Sequence, residues 1–155
     1  MSNQKPAMDH TANDNVAPAD GQQEASTTAA RMSRLEAQLV NLKVDIAIER
    51  ARVTANEARS RNTHITYQDD ALTPLPKTKP GTSPPTFAPS SYVAPPASAV
   101  GSFPPNFPPR MGDVYRLSAA DLLALSAFYN DDFGVPSTTT DVLVHRECFL
   151  KYIRY

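Results

Sequence analysis

The sequence predicts a mainly α-helical chain with extensive disorder: one long coiled-coil-like helix, a proline-rich linker and a small C-terminal helical pair. Three observations carry this. Residues 31–62 contain neither Gly nor Pro and repeat apolar residues at 3-4 spacing. Twelve of the 36 positions from Pro74 to Pro109 are Pro. After residue 110, seven aromatic residues and a helical spacing of large aliphatics return. The chain has 155 residues, room for one ordinary domain at most, and no internal repeat links its parts.

Residues 1–30 are expected to be a disordered tail. They hold no aromatic residue, only Met8 and Val16 as large aliphatics, and a net charge of −3 from Lys5 against Asp9, Asp14, Asp20 and Glu24. Such a stretch cannot bury enough apolar surface to offset roughly 1–2 kcal/mol of backbone ordering per residue. Ser26, Thr27 and Thr28 offer N-caps for the helix that follows.

The helix over 31–62 carries a heptad. With Met32 at position a, the seam runs Met32, Leu35, Leu39, Leu42, Ile46, Glu49, Val53 and Asn56, of which six are apolar. In a parallel pair Asp45 (g) faces Arg50 (e), and Arg52 (g) faces Glu57 (e). Both are attractive, Gln38 with Lys43 is neutral, and no g–e pair repels. The seam therefore suits a homo-oligomer through 31–62. Val40, Val44 and Ile48 add a second i, i+4 stripe, which leaves open a trimer, an antiparallel bundle, docking on another protein, or packing on the chain's own C-terminal module.

Residues 63–110 read as a linker of polyproline II and flexible coil, since Pro fixes φ and donates no backbone N–H. Within it, Pro105, Phe107, Pro108 and Arg110 fit the groove of an SH3-type domain, with Pro105 and Pro108 on one edge of a three-residue turn and Arg110 toward an acidic pocket. The alternatives are a plain spacer, or packing of Phe103 and Phe107 on the C-terminal module. Thr73-Pro74 and Ser83-Pro84 are Thr/Ser-Pro dipeptides of the kind that accept phosphate.

Residues 111–155 predict a small helical module. Ser118 and Asp121 form a capping-box pattern ahead of Leu122, Leu125, Phe128 and Tyr129, with a stop at Asn130-Asp131. Thr140 or Asp141 caps a second helix that puts Val142, Phe149 and Ile153 on one face. The expected core is Leu122, Leu125, Phe128, Val142, Phe149 and Ile153. Cys148 is expected there as a small hydrophobe, and Asp131-Asp132 in an exposed turn.

The run Leu117 to Leu125, then Tyr129, Gly134, Arg146, Phe149 and Ile153, resembles a helix–extended loop–helix module of the SAP kind. That resemblance implies DNA binding, which requires Arg116, Arg146, Lys151 and Arg154 on one face; the loop has Ser137 to Thr140 where such modules carry glycine and basic residues. With Phe133-Gly134-Val135-Pro136, the same stretch also resembles the C-terminal domain of fungal meiotically up-regulated proteins, which implies a protein with no established activity.

Charge and residue types narrow the function. A net charge of −1 advertises neither nucleic acid nor anionic membrane. No apolar run approaches the roughly 18 residues of a membrane span. The single cysteine and the polar N-terminus point to an intracellular protein of cytoplasm or nucleus. His145 and Cys148 lie one turn apart with no further ligand nearby, so no metal or other cofactor is expected. The expectation is a non-catalytic adaptor or scaffold, with a nucleic-acid-associated protein as the alternative.

Overall fold

A computed structural model describes the backbone of residues 20–155 and the side chains from residue 27 onward. Four helices are present among the described residues: α1 (Asp20–Thr63), α2 (Met111–Val114), α3 (Ala119–Tyr129) and α4 (Val142–Arg154). The chain divides within α1 into two compact units, Met1–Val40 and Asn41–Tyr155.

α1 begins at Asp20, upstream of the caps expected at residues 26–28, so Thr27 and Thr28 lie inside the helix. Its early residues are Gln, Glu and Ala at most positions, good helix formers that extend a helix already nucleated downstream. The expected tail therefore loses its last eleven residues to α1, and residues 1–19 lie outside the described residues.

The second unit is built on one apolar core. α3 contributes Leu122, Leu125 and Tyr129; α4 contributes Phe149, Leu150 and Ile153; Met111, Val114, Leu117, Phe133 and Val135 fill between them. Ala55 and Ala58 of α1 join the same core. Phe128, Val142 and Cys148 are partly buried against it. The aromatic rings interlock: Phe133 lies 5.1 Å from Phe149 and 4.7 Å from Tyr152, and Tyr129 lies 5.4 Å from Tyr152. The module at 111–155 is thus more than a helical pair. It carries a third short helix, and its core is completed by segments that precede it.

Segment 63–110 departs from the expected extended linker. Leu72, Leu75 and Pro76 are buried, and Ile65, Phe87 and Phe107 pack partly buried on the core. The chain runs out along residues 68–77 and returns along 101–112. Leu72 N–H donates to Pro109 O at 2.9 Å, Met111 N–H to Asp70 O at 3.0 Å, Lys77 N–H to Ser102 O at 2.8 Å and Gly101 N–H to Lys77 O at 2.8 Å. A single antiparallel bridge joins Ala71 and Arg110. At the base of this loop Gly112 donates to Gln68 O at 2.8 Å, and a Cβ there would stand 3.1 Å from that oxygen. Proline composition favours this state as much as a free spacer: a chain whose φ angles are already fixed loses less entropy when it docks.

Helix ends bind the unit together. Ser118 and Asp121 form the full capping box at the start of α3, and Asp141 Oδ1 accepts from Leu143 N at 2.8 Å at the start of α4. The C-termini are capped from outside the helices. The last carbonyls of α4 accept from α1: Arg59 Nε donates to Tyr152 O at 3.0 Å, Asn62 Nδ2 to Ile153 O at 3.1 Å and Thr63 Oγ1 to Arg154 O at 2.8 Å. The end of α3 accepts from the proline segment, with Thr82 Oγ1 on Ala127 O at 3.1 Å and the Lys77 ammonium on Phe128 O, while the same ammonium also donates to Gly81 O of its own segment. Cationic donors at helix C-termini also complement the macrodipole. Lys77 is buried, and desolvation holds its pKa below the ordinary lysine value.

Candidate functional site

The candidate site is the apolar seam of α1, and its position follows from how the helix is held. Over residues 51–62, α1 docks on its own unit through Ala51, Ala55, Ala58 and Asn62, all buried. Small side chains at 4-3-4 spacing let the helix backbone approach the core of the unit closely. Asn62 closes the face. Its Nδ2 donates to Thr73 O at 3.0 Å and to Ile153 O at 3.1 Å, while its Oδ1 accepts from Thr73 N at 2.8 Å.

Within the second unit, the seam positions are Leu42, Ile46, Glu49 and Val53. Each stands nine residues before a docked one: Leu42 before Ala51, Ile46 before Ala55, Glu49 before Ala58, Val53 before Asn62. Nine residues are about two and a half turns, so the seam lies on the opposite side of the helix from the docked face. All six apolar seam residues, Met32, Leu35, Leu39, Leu42, Ile46 and Val53, are 44 to 63% exposed. Leu42, Ile46 and Val53 line a shallow apolar groove along the helix with Asp45, Glu49, Arg50 and Thr54.

Two of the four expected interhelical residues border that groove. Asp45 and Arg50 are exposed on its two sides. Arg52 Nη1 reaches Glu49 Oε1 at 2.5 Å within the helix, an exposed pair of little energetic weight that partly neutralises the acid at seam position d. Glu57 lies in a hollow with Thr54, Arg61, Thr73 and Phe103. Ile48 is half-buried, while Val40 and Val44 of the second stripe are exposed.

The proline motif is divided. Phe107 N–H donates to Pro104 O at 3.4 Å, closing a turn where an SH3-type groove needs an extended edge. Pro105 is exposed but Pro108 is buried, Phe107 stands edge-on to Phe149 at 6.3 Å, and Arg110 reaches Asp69 at 4.0 Å. As folded, the four residues do not form one docking edge. Pro104 and Pro105 instead line a hollow of about 230 Å³ with Pro95, Pro96, Leu125 and Phe128.

The basic residues that the SAP resemblance requires on one face are partly committed to contacts inside the unit. Arg146 Nε donates to Leu117 O at 2.8 Å and Arg154 Nη2 to Ile65 O at 2.8 Å, so two of the four side chains are engaged inside the unit. Arg116 is paired with Asp113 at 3.7 Å and Lys151 is exposed. The Asp131-Asp132 turn is half-buried: Asp131 pairs with Lys79 and Asp132 accepts from Thr86 N at 3.0 Å. Cys148 is half-buried, 3.9 Å from Gly134 O. Among the described residues no group of three His, Cys, Asp or Glu converges on a common point, and no helix is long and apolar enough to cross a membrane.

The heptad passes over Ala51, Ala55, Ala58 and Asn62. Their signal is nevertheless in the chain, because Val40, Val44 and Ile48 continue into them at 4-3 spacing and mark a second apolar face opposite the first. Neither a protein-family model, nor a curated protein, nor a solved structure matches the chain.

Proposed function

We propose that the chain is a non-catalytic adaptor or scaffold that self-associates or docks through the seam of α1 and presents the Asn41–Tyr155 unit as a protein-interaction module. One observation carries this: Leu42, Ile46 and Val53 stay exposed on one side of α1 while the opposite side, at Ala51, Ala55 and Asn62, is buried in the same unit. Covering them contributes on the order of 1 kcal/mol each. The 41–155 unit would ride on whatever the seam joins, so that weak contacts made by its surface act through avidity.

The experiment is light scattering on the full chain and on a double variant, Leu39→Asp with Ile46→Asp. The expected result is a mass above 16.9 kDa for the unmodified chain, and 16.9 kDa for the variant with its near-ultraviolet circular dichroism unchanged. A variant that keeps the unmodified mass overturns the seam as the assembly surface.

A further inference from the structure

We propose that the seam of α1 is covered by a second copy of this chain, parallel and in register, with the two 41–155 units turned outward on opposite sides of a two-stranded coil. The inference rests on the seam being an assembly surface, and adds which molecule covers it and in what orientation.

The docked face leaves room for it. Since Leu42, Ile46 and Val53 lie opposite Ala51, Ala55 and Asn62, a helix laid along the seam meets the first chain on the side away from its own folded unit. A symmetry-related copy presents the same free face, so one two-fold axis along the seam satisfies both chains at once. The closed pair uses up the apolar stripe and exposes no further copy of it.

The residue types along the seam select two strands and one direction. The a positions include Ile46 and Val53, and the d positions Leu35 and Leu42; β-branched residues at a with Leu at d favour parallel dimers. The flanks agree. In a parallel pair Asp45 meets the second copy's Arg50, and Arg52 meets its Glu57, each contact made twice by symmetry. Asp45 and Arg50 are both exposed, and Arg52 need only leave its local partner Glu49. An antiparallel pair brings g against g and e against e. With Leu42 layered on Ile46, it sets Asp45 opposite Asp45 and Lys43 opposite Lys43, both repulsive. Its outer contacts, Glu36 with Arg50, attract and only offset those repulsions, whereas the parallel pair has no repulsive flank contact and one repulsion in the seam, Glu49 against Glu49 at position d.

The test is a charge exchange on the full chain, read by sedimentation equilibrium. Asp45→Lys and Arg50→Glu are made separately, each turning the symmetric 45–50 contacts repulsive in its own homodimer. The unmodified chain is expected at twice the monomer mass. Each variant alone dissociates at about tenfold higher concentration. An equimolar mixture returns to the unmodified behaviour, because in the mixed dimer both 45–50 contacts again join opposite charges. Both positions are exposed, and near-ultraviolet circular dichroism of the aromatic cluster reports that each variant is folded. A dimer that the mixture fails to restore overturns the parallel arrangement and leaves the seam as an assembly surface. A mass above the dimer does the same. A chain that is monomeric throughout overturns self-association itself, and the seam then has only a different protein to dock. Assembly that survives the Leu39→Asp, Ile46→Asp pair places the contact elsewhere and removes the underlying reading as well.

Discussion

Val53 and Asn62 stand nine residues apart on α1, on opposite sides of the same helix: Val53 is 59% exposed and Asn62 fully buried, hydrogen-bonded to Thr73 and Ile153. One helix therefore serves two surfaces. The side ending at Asn62 is part of a folded unit, and the side ending at Val53 is open. The two sides answer differently to substitution, which makes the division measurable.

Asn62→Leu is expected to destabilise the chain by about 2–4 kcal/mol in urea unfolding, because it strands Thr73 N, Thr73 O and Ile153 O in a buried place. Val53→Asp, at an exposed position, is expected to change unfolding by less than about 0.5 kcal/mol at concentrations where the chain is monomeric. Equal losses from the two substitutions would contradict the assignment of faces.

Leu75→Ala tests whether the proline segment belongs to the core. Leu75 is fully buried, and its carbonyl accepts from Tyr129 Oη at 2.8 Å. The cavity left by the truncation is expected to cost about 2–5 kcal/mol in the unfolding of the whole 41–155 unit. A free spacer would show no loss.

Alkaline pH should unfold the chain in a defined way. Burial pushes the phenols of Tyr129 and Tyr152 upward, Tyr152 from 10 to about 12, with the Asp131 charge adding to the rise and Arg59 opposing it. Both pKa values are raised in the folded state, so the stability these groups contribute is complete below pH 10 and is lost as pH climbs through 12. Their tyrosinate absorbance is expected to appear only together with loss of the helical circular dichroism. Tyr152→Phe should move the alkaline midpoint upward if its packing is retained. Ionisation of both phenols with the helix signal intact would refute the burial of these rings.

Much of the helical architecture is legible in the sequence where local chemistry decides it. The Ser118–Asp121 box, the stop at Asn130 and the Asp141 cap are each set within a few residues. The proline segment is misread because its composition outweighs its pattern: Leu72, Leu75, Phe87 and Phe107 are spaced by no regular period, and only the fold brings them to one core. The capping of α3 and α4 by Lys77, Thr82, Arg59 and Asn62 joins residues some 45 to 93 positions apart, beyond the reach of any local rule. The candidate seam is legible because a heptad is a local repeat. The face of α1 that the chain itself uses is marked only by the Val40, Val44, Ile48 stripe that leads into it, since alanines give a weak hydrophobic signal and dock tightly all the same.

The most direct measurement is amide hydrogen exchange along α1 as a function of protein concentration. If the seam joins chains, amides of residues 32–46 become progressively slower to exchange as concentration rises, while those of Leu125 and Phe149 stay constant. Protection along 32–46 that does not change with concentration, or a concentration dependence confined to α3 and α4, would contradict it.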